Sequence, residues 1–312
     1  MLALRTGAGR SAPLRRAGTL LLLSISLTTL DRPRPASPTH RAELLTVGTT
    51  RLRTVWAGTG DTTIVLVHGY GEHLLTWRAL LDPLDSQHTV LALDLPGFGA
   101  SDKPDRPYTL PWLASVVAAV IEGHTTGPVV LVGHSMGGAI AAQVALERPD
   151  LIAALVLIAP AGLRIGLGPI TANRTPTRAA AIGAWEAARA FVTPLHDPDW
   201  LAEPAELADY EPATDPAFRR STARTLLEFD FEGIGHRFAG IHKPTLLIWG
   251  EQDPVVPFSA GRQIAAMLPC RTWATLPRTL HRPHAERPDT VARIMLSFLA
   301  SPGGCSEAKE VL

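Results

Sequence analysis

Ser135 has Gly133 on one side and Gly137-Gly138 on the other, where the apolar run Val129–Val132 meets the helix-compatible stretch Met136–Glu147. That setting suits nucleophilic chemistry. A serine forced into a sharp strand-to-helix turn projects its Oγ away from the backbone, and flanking glycines permit the strained dihedrals and close strand–helix packing. The start of the helix then turns N–H groups toward the place where negative charge would develop. The bland alternative is a plain turn whose serine caps a helix. A G-x-S-x-G pattern alone discriminates poorly between the two; placed between strand and helix, it favours the nucleophile. A serine hydroxyl is a poor nucleophile at neutral pH and needs a base. Imidazole has a suitable pKa, and an ionised carboxylate behind it fixes the tautomer and stabilises the imidazolium.

Together with four further stretches, this turn resembles the α/β-hydrolase family, over roughly residues 44–300. His68-Gly69-Tyr70-Gly71 is similar to the family's oxyanion loop after the third strand. Asp94-Leu95-Pro96-Gly97-Phe98-Gly99-Ala100-Ser101-Asp102 resembles the turn after the fourth. Trp249–Pro257 resembles the segment that holds the acid, and His281–Pro288 the His-x-Pro-x-x-Glu-x-Pro stretch that holds the base. The resemblance implies Ser135 as nucleophile, Asp253 as acid and His281 as base, in the family's chain order. It also implies an oxyanion hole from the main-chain N–H groups of Tyr70 and Met136. Some relatives carry the acid after the sixth strand, but here that strand runs into Ala159-Pro160-Ala161-Gly162 with no carboxylate. His284 competes with His281, yet only His281 has proline two residues on and glutamate five residues on. The family's usual glycine before the histidine is replaced by Leu280. His68 and His134 are expected to bond loop backbone.

The elements that must hold these residues follow from hydrophobic patterning. Thr46–Ala57 alternates around a Gly-Thr-Thr turn, which predicts a β-hairpin. Short apolar runs recur at Ile64–His68, Val90–Leu95, Val129–Val132, Leu155–Ile158 and Thr245–Trp249, each the length of a strand buried on both faces. Helical stretches alternate with them at Leu74–Leu84, Leu110–Glu122, Met136–Glu147, Ser259–Leu268 and Thr290–Leu299. The expected fold is therefore α/β, a mostly parallel sheet with helices on both faces. Residues 44–162 and 241–300 form this core. Residues 163–240, punctuated by prolines such as Pro169, Pro194, Pro198, Pro204, Pro212 and Pro216 and without a convincing strand, read as an inserted helical cap. The cap aromatics Trp185, Phe191, Trp200, Tyr210, Phe218, Phe229 and Phe231 suit either an apolar acyl pocket or packing of the cap itself. Residues 301–312 read as a frayed polar tail.

Residues 1–43 read as a leader. Residues 1–42 hold seven arginines and one acid around the charge-free run Ala17–Leu30, the form of a secretory signal, too short to span a bilayer. Export or anchoring through residues 1–36 stands against a basic leader on a cytoplasmic protein. Any membrane contact is expected through this segment alone. The chain's 29 basic and 29 acidic residues thus divide into a basic leader and a body with 22 basic and 28 acidic groups. A mildly acidic body argues against nucleic acid as a partner. Cys270 and Cys305 are too few for a disulfide framework or a four-cysteine zinc site, and His73, His196 and His236 lack metal-like spacing. No metal or cofactor is expected. A serine nucleophile sets aside the aspartate-nucleophile branches of the family. The expectation is hydrolysis of a small, apolar carboxylic ester, lactone or thioester through an acyl-enzyme. Carbon–carbon bond hydrolases and cofactor-free perhydrolases of the same fold, an acyltransferase and a non-catalytic ligand-binding member are the alternatives.

Overall fold

The computed structural model describes residues 40–163, 197–207, 210–212, 214–300 and 309–311. The leader up to residue 39 lies outside the described residues, as do Trp185, Phe191 and His196 of the expected cap and Cys305 of the tail. Among the described residues, ten strands form one sheet. In chain order they are β1 (His40–Val47), β2 (Thr50–Ala57), β3 (Thr63–Val67), β4 (Thr89–Leu93), β5 (Val129–His134), β6 (Ile152–Ile158), β7 (Leu201–Ala202), β8 (Thr245–Gly250), β9 (Arg271–Leu276) and β10 (Lys309–Val311). Across the sheet the order is β10-β9-β8-β6-β5-β3-β4-β2-β1-β7. From β4 through β10 every pairing is parallel, while β2 runs antiparallel to both β1 and β4.

The sequence of the central strands explains why they are buried on both faces. Successive side chains of a strand point to opposite sides. Val65, Val67, Leu131 and Leu247 pack on one side with Leu113, Val117 and Ile121 of α2 (Leu110–His124), Ile140 and Val144 of α3 (Met136–Glu147), and Ile264 of α5 (Phe258–Met267). Their neighbours Ile64, Leu66, Val130 and Leu246 pack on the other with Leu80 and Leu84 of α1 (Arg78–Asp85) and Met295 of α6 (Pro288–Ala300). A run with no polar alternation is what two apolar layers require.

Four features differ from the sequence reading. The first strand begins at His40, inside the stretch assigned to the leader. β9 (Arg-Thr-Trp-Ala-Thr-Leu) carries too many polar residues to read as an apolar run. The inserted segment, expected to hold no strand, supplies β7, which pairs His40 with Leu201 and Arg41 with Ala202. This pairing covers main-chain groups at the edge of β1. The tail, expected to fray, adds β10 beside β9. Beyond β7, the described part of the insertion holds α4 (Pro216–Glu228) and a 3-10 turn, Gly235–Gly240. Asp215 caps α4, accepting from Ala217 N–H at 2.7 Å. Among the described residues no helix is long and apolar enough to cross a membrane.

Candidate active site

Ser135 stands directly between β5 and α3 with φ 51° and ψ −115°, a region that non-glycine residues seldom occupy. The surroundings over-determine it. Its N–H donates to Ile158 O at 3.0 Å, and its carbonyl accepts from Gly138 N–H at 3.0 Å and Ala161 N–H at 2.9 Å. The flanking glycines allow the close approach: a Cβ on Gly133 would lie 2.2 Å from Gly137 O, and one on Gly137 would lie 2.2 Å from Val67 O.

His281 lies against this turn. Its Nε2 is 3.0 Å from Ser135 Oγ and its Nδ1 is 2.7 Å from Asp253 Oδ2. The other oxygen of Asp253 accepts from the N–H groups of Val255 and Val256 at 2.8 and 2.9 Å. An ionised Asp253 can only accept, so Nδ1 carries the ring proton and Nε2 is left to accept from the serine hydroxyl. Burial pushes the His281 pKa below 6.5, and the nearby positive charge of His134 acts in the same direction; the hydrogen bond to Asp253 opposes both. The loop around His281 is clamped by Glu286, which accepts from Leu280 N–H at 2.7 Å and Arg282 N–H at 2.9 Å. Leu280 does not have positive φ, so its backbone conformation does not require a glycine.

His284, the competing histidine, is turned elsewhere. Its Nε2 is 3.0 Å from Thr76 Oγ1, and its ring packs on Trp77 at 4.6 Å and on His134 at 4.5 Å. His68 bonds loop backbone, with Nδ1 2.7 Å from Gly69 O and Nε2 accepting from Leu95 N–H at 2.9 Å. His134 does likewise through Nε2, which donates to His281 O at 2.8 Å.

Met136 is the first residue of α3, so its N–H has no acceptor within the helix. Tyr70 sits in the loop after β3, its hydroxyl donating to Thr222 O of α4 at 3.1 Å. Phe231 stands edge-on to the Tyr70 ring at 6.2 Å. The other described aromatics of the insertion serve the core or the insertion itself. Trp200 packs against His40 at 4.4 Å with the rings tilted by 36°, and Tyr210 and Phe218 receive the Lys103 ammonium on their faces.

Glu72 is the residue that the sequence reading missed. Its side chain is 4% exposed, and it accepts from Gly69 N–H at 2.9 Å, faces His134 Nδ1 at 2.9 Å and pairs with Arg282 Nε at 2.8 Å. Burial alone would push its carboxyl up, but the charges of His134 and Arg282 and the His134 hydrogen bond hold it well below the usual carboxylate range. The signal in the sequence is an acid and a basic pair scattered over three loops, which no local motif joins. Glu72, His134 and His284 also bring donor atoms within 4.8 Å of one another. Arg282 and His134 already neutralise the carboxylate there, which disfavours a further cation.

A model of the alpha/beta hydrolase family matches residues 64–294. The 2-hydroxy-6-oxo-6-(2'-aminophenyl)hexa-2,4-dienoic acid hydrolase of Metapseudomonas resinovorans is 30% identical over 273 residues, covering 81% of this chain and 89% of the relative. The pimeloyl-[acyl-carrier protein] methyl ester esterase of Aeromonas hydrophila is 28% identical over 256 residues, covering 76% of this chain and 94% of the relative. Among solved structures, a serine hydrolase involved in carbazole degradation superposes with a TM-score of 0.64 at 25% identity, covering 84% of this chain and 99% of that one.

Proposed function

The chain belongs to the alpha/beta hydrolase family, and from that premise we propose that it is a serine hydrolase cleaving a carboxylic ester, lactone or thioester through an acyl-enzyme. The observation that carries this reading is the continuous set of contacts from Asp253 through His281 to Ser135 Oγ. Oγ attacks the substrate carbonyl carbon while Nε2 of His281 takes its proton. The imidazolium so formed is stabilised by the buried Asp253 carboxylate. The tetrahedral oxyanion is held by the main-chain N–H groups of Tyr70 and Met136. Collapse breaks the bond to the leaving oxygen or sulfur, which receives the proton from Nε2. A water activated by the same nitrogen then releases the acid and frees Ser135.

The substrate is small and apolar on its acyl side, a reading supported by the Phe231 and Tyr70 rings beside this loop. The insertion at residues 163–240 acts as its cap. The test is labelling of Ser135 by a fluorophosphonate together with turnover of a p-nitrophenyl ester series. Wild type should react in both and Ser135→Ala in neither. A wild-type protein inert to both would sink the proposal. Hydrolysis of a carbon–carbon bond is the second reading, favoured by the dienoic acid hydrolase among the relatives. It uses the same three residues, and faster turnover of a vinylogous diketone acid than of any ester would select it.

A further inference from the structure

We infer that Glu72 is a positioning residue for this chemistry, one buried carboxylate that fixes the oxyanion loop, the nucleophile turn and the histidine loop relative to one another. The inference rests on the serine-hydrolase reading. Three loops that are distant in sequence converge on Glu72. Its own loop is closed by Gly69 N–H on Oε2 at 2.9 Å, with Glu72 N–H donating back to Gly69 O at 3.3 Å, and Tyr70 lies between the two. The nucleophile turn arrives through His134, the residue before Ser135, whose Nδ1 is 2.9 Å from Oε2. The histidine loop arrives through Arg282, the residue after His281, whose Nε is 2.8 Å from Oε1.

The carboxylate also orients the group that holds His281. His134 Nε2 faces the carbonyl of His281 at 2.8 Å, and a carbonyl only accepts, so this nitrogen is a donor. Nδ1 is 2.9 Å from Oε2 of Glu72, so the ring is held at both nitrogens and anchors the main chain of the base from within the nucleophile turn. Without the carboxylate, Nδ1 loses the contact that orients the ring. Arg282 and Gly69 also lose the anion that orients them. Reacting groups displaced by about 1 Å lose roughly 10- to 100-fold in rate. Glu72 touches neither Ser135 Oγ nor the substrate in this scheme, so its effect is on placement alone.

The experiment measures the second-order rate of Ser135 phosphonylation by a fluorophosphonate, which needs no natural substrate, and kcat and KM for a p-nitrophenyl ester per titrated active site. Glu72→Gln keeps shape and removes charge. It should slow phosphonylation and kcat by tenfold or more while KM stays within about twofold. His134→Asn keeps a donor toward Glu72 but does not reach the His281 carbonyl, and it should show the same split if Glu72→Gln fails to fold. Ile121→Ala, in the core at the last turn of α2, should lower the melting temperature yet phosphonylate at the wild-type rate. Wild-type rates per site in the Glu72 and His134 variants would overturn the inference while leaving the serine hydrolase intact. A wild-type protein that is not labelled at all would overturn both.

Discussion

The protonation state of His281 decides how the proposed reaction responds to pH. Neutral imidazole is the form that can take the serine proton, and burial and the His134 charge both favour that form. The acid limb of kcat/KM for a p-nitrophenyl ester should therefore lie below 6.5, the ordinary histidine value. A half-point above 6.5 would contradict this assignment. Asp253→Asn removes the group that opposes the downward shift and leaves an amide that can present N–H to Nδ1. It should move the acid limb lower still and reduce kcat by about 10⁴-fold, because the wrong tautomer then faces Ser135. His281→Ala should be at least as damaging. His284→Ala should keep most of its activity per folded site, since His284 contacts Thr76, Trp77 and His134 rather than the serine.

Between the residues and the sheet stands the turn after β4, which is held as a unit by Asp94. Its fully buried carboxylate accepts from Leu74 N–H at 2.6 Å and Ala100 N–H at 2.8 Å and pairs with the buried Arg53 at 3.3 Å. Arg53 in turn is salt-bridged to Glu203 of the insertion, and Ser221 Oγ of α4 donates to Gly97 O at 2.7 Å. This turn thus also fastens the insertion to the core. Asp94→Ala leaves Arg53 without its core anion and two N–H groups without acceptors, a loss of about 3–5 kcal/mol. Urea unfolding should show a lower midpoint at unchanged slope, and a loss under 1 kcal/mol would contradict the network. How far such elements are legible in sequence depends on where their information lies. Val129–Val132 and Met136–Glu147 are readable because burial on both faces and helical composition are local properties, and the Ser135 turn between them is local too. Asp253 and His281 are readable through their own short motifs. Glu72 and β7 are not readable in this way, nor is the grip of Asp94 on Leu74 and Arg53: each involves partners supplied by other segments, and only the folded chain brings those together. β9 escapes because its polar residues mask the period.

At the scale of the whole molecule, buried neutral histidines and one covalent strut set the limits of stability. Burial pushes His68, His281 and His284 below 6.5, so the unfolded chain binds protons that the folded chain does not. Stability is then full above 6.5 and falls as pH drops from 6.5 toward the folded values, which a melting series between pH 8 and 5 should register as a steady decline on the acid side. The strut is a disulfide. Cys270, just before β9, is disulfide-bonded. A native disulfide stabilises a fold by roughly 2–4 kcal/mol. Reduction, or Cys270→Ser, should lower the melting temperature accordingly, and an unchanged melting point would show that the fold holds without the bond.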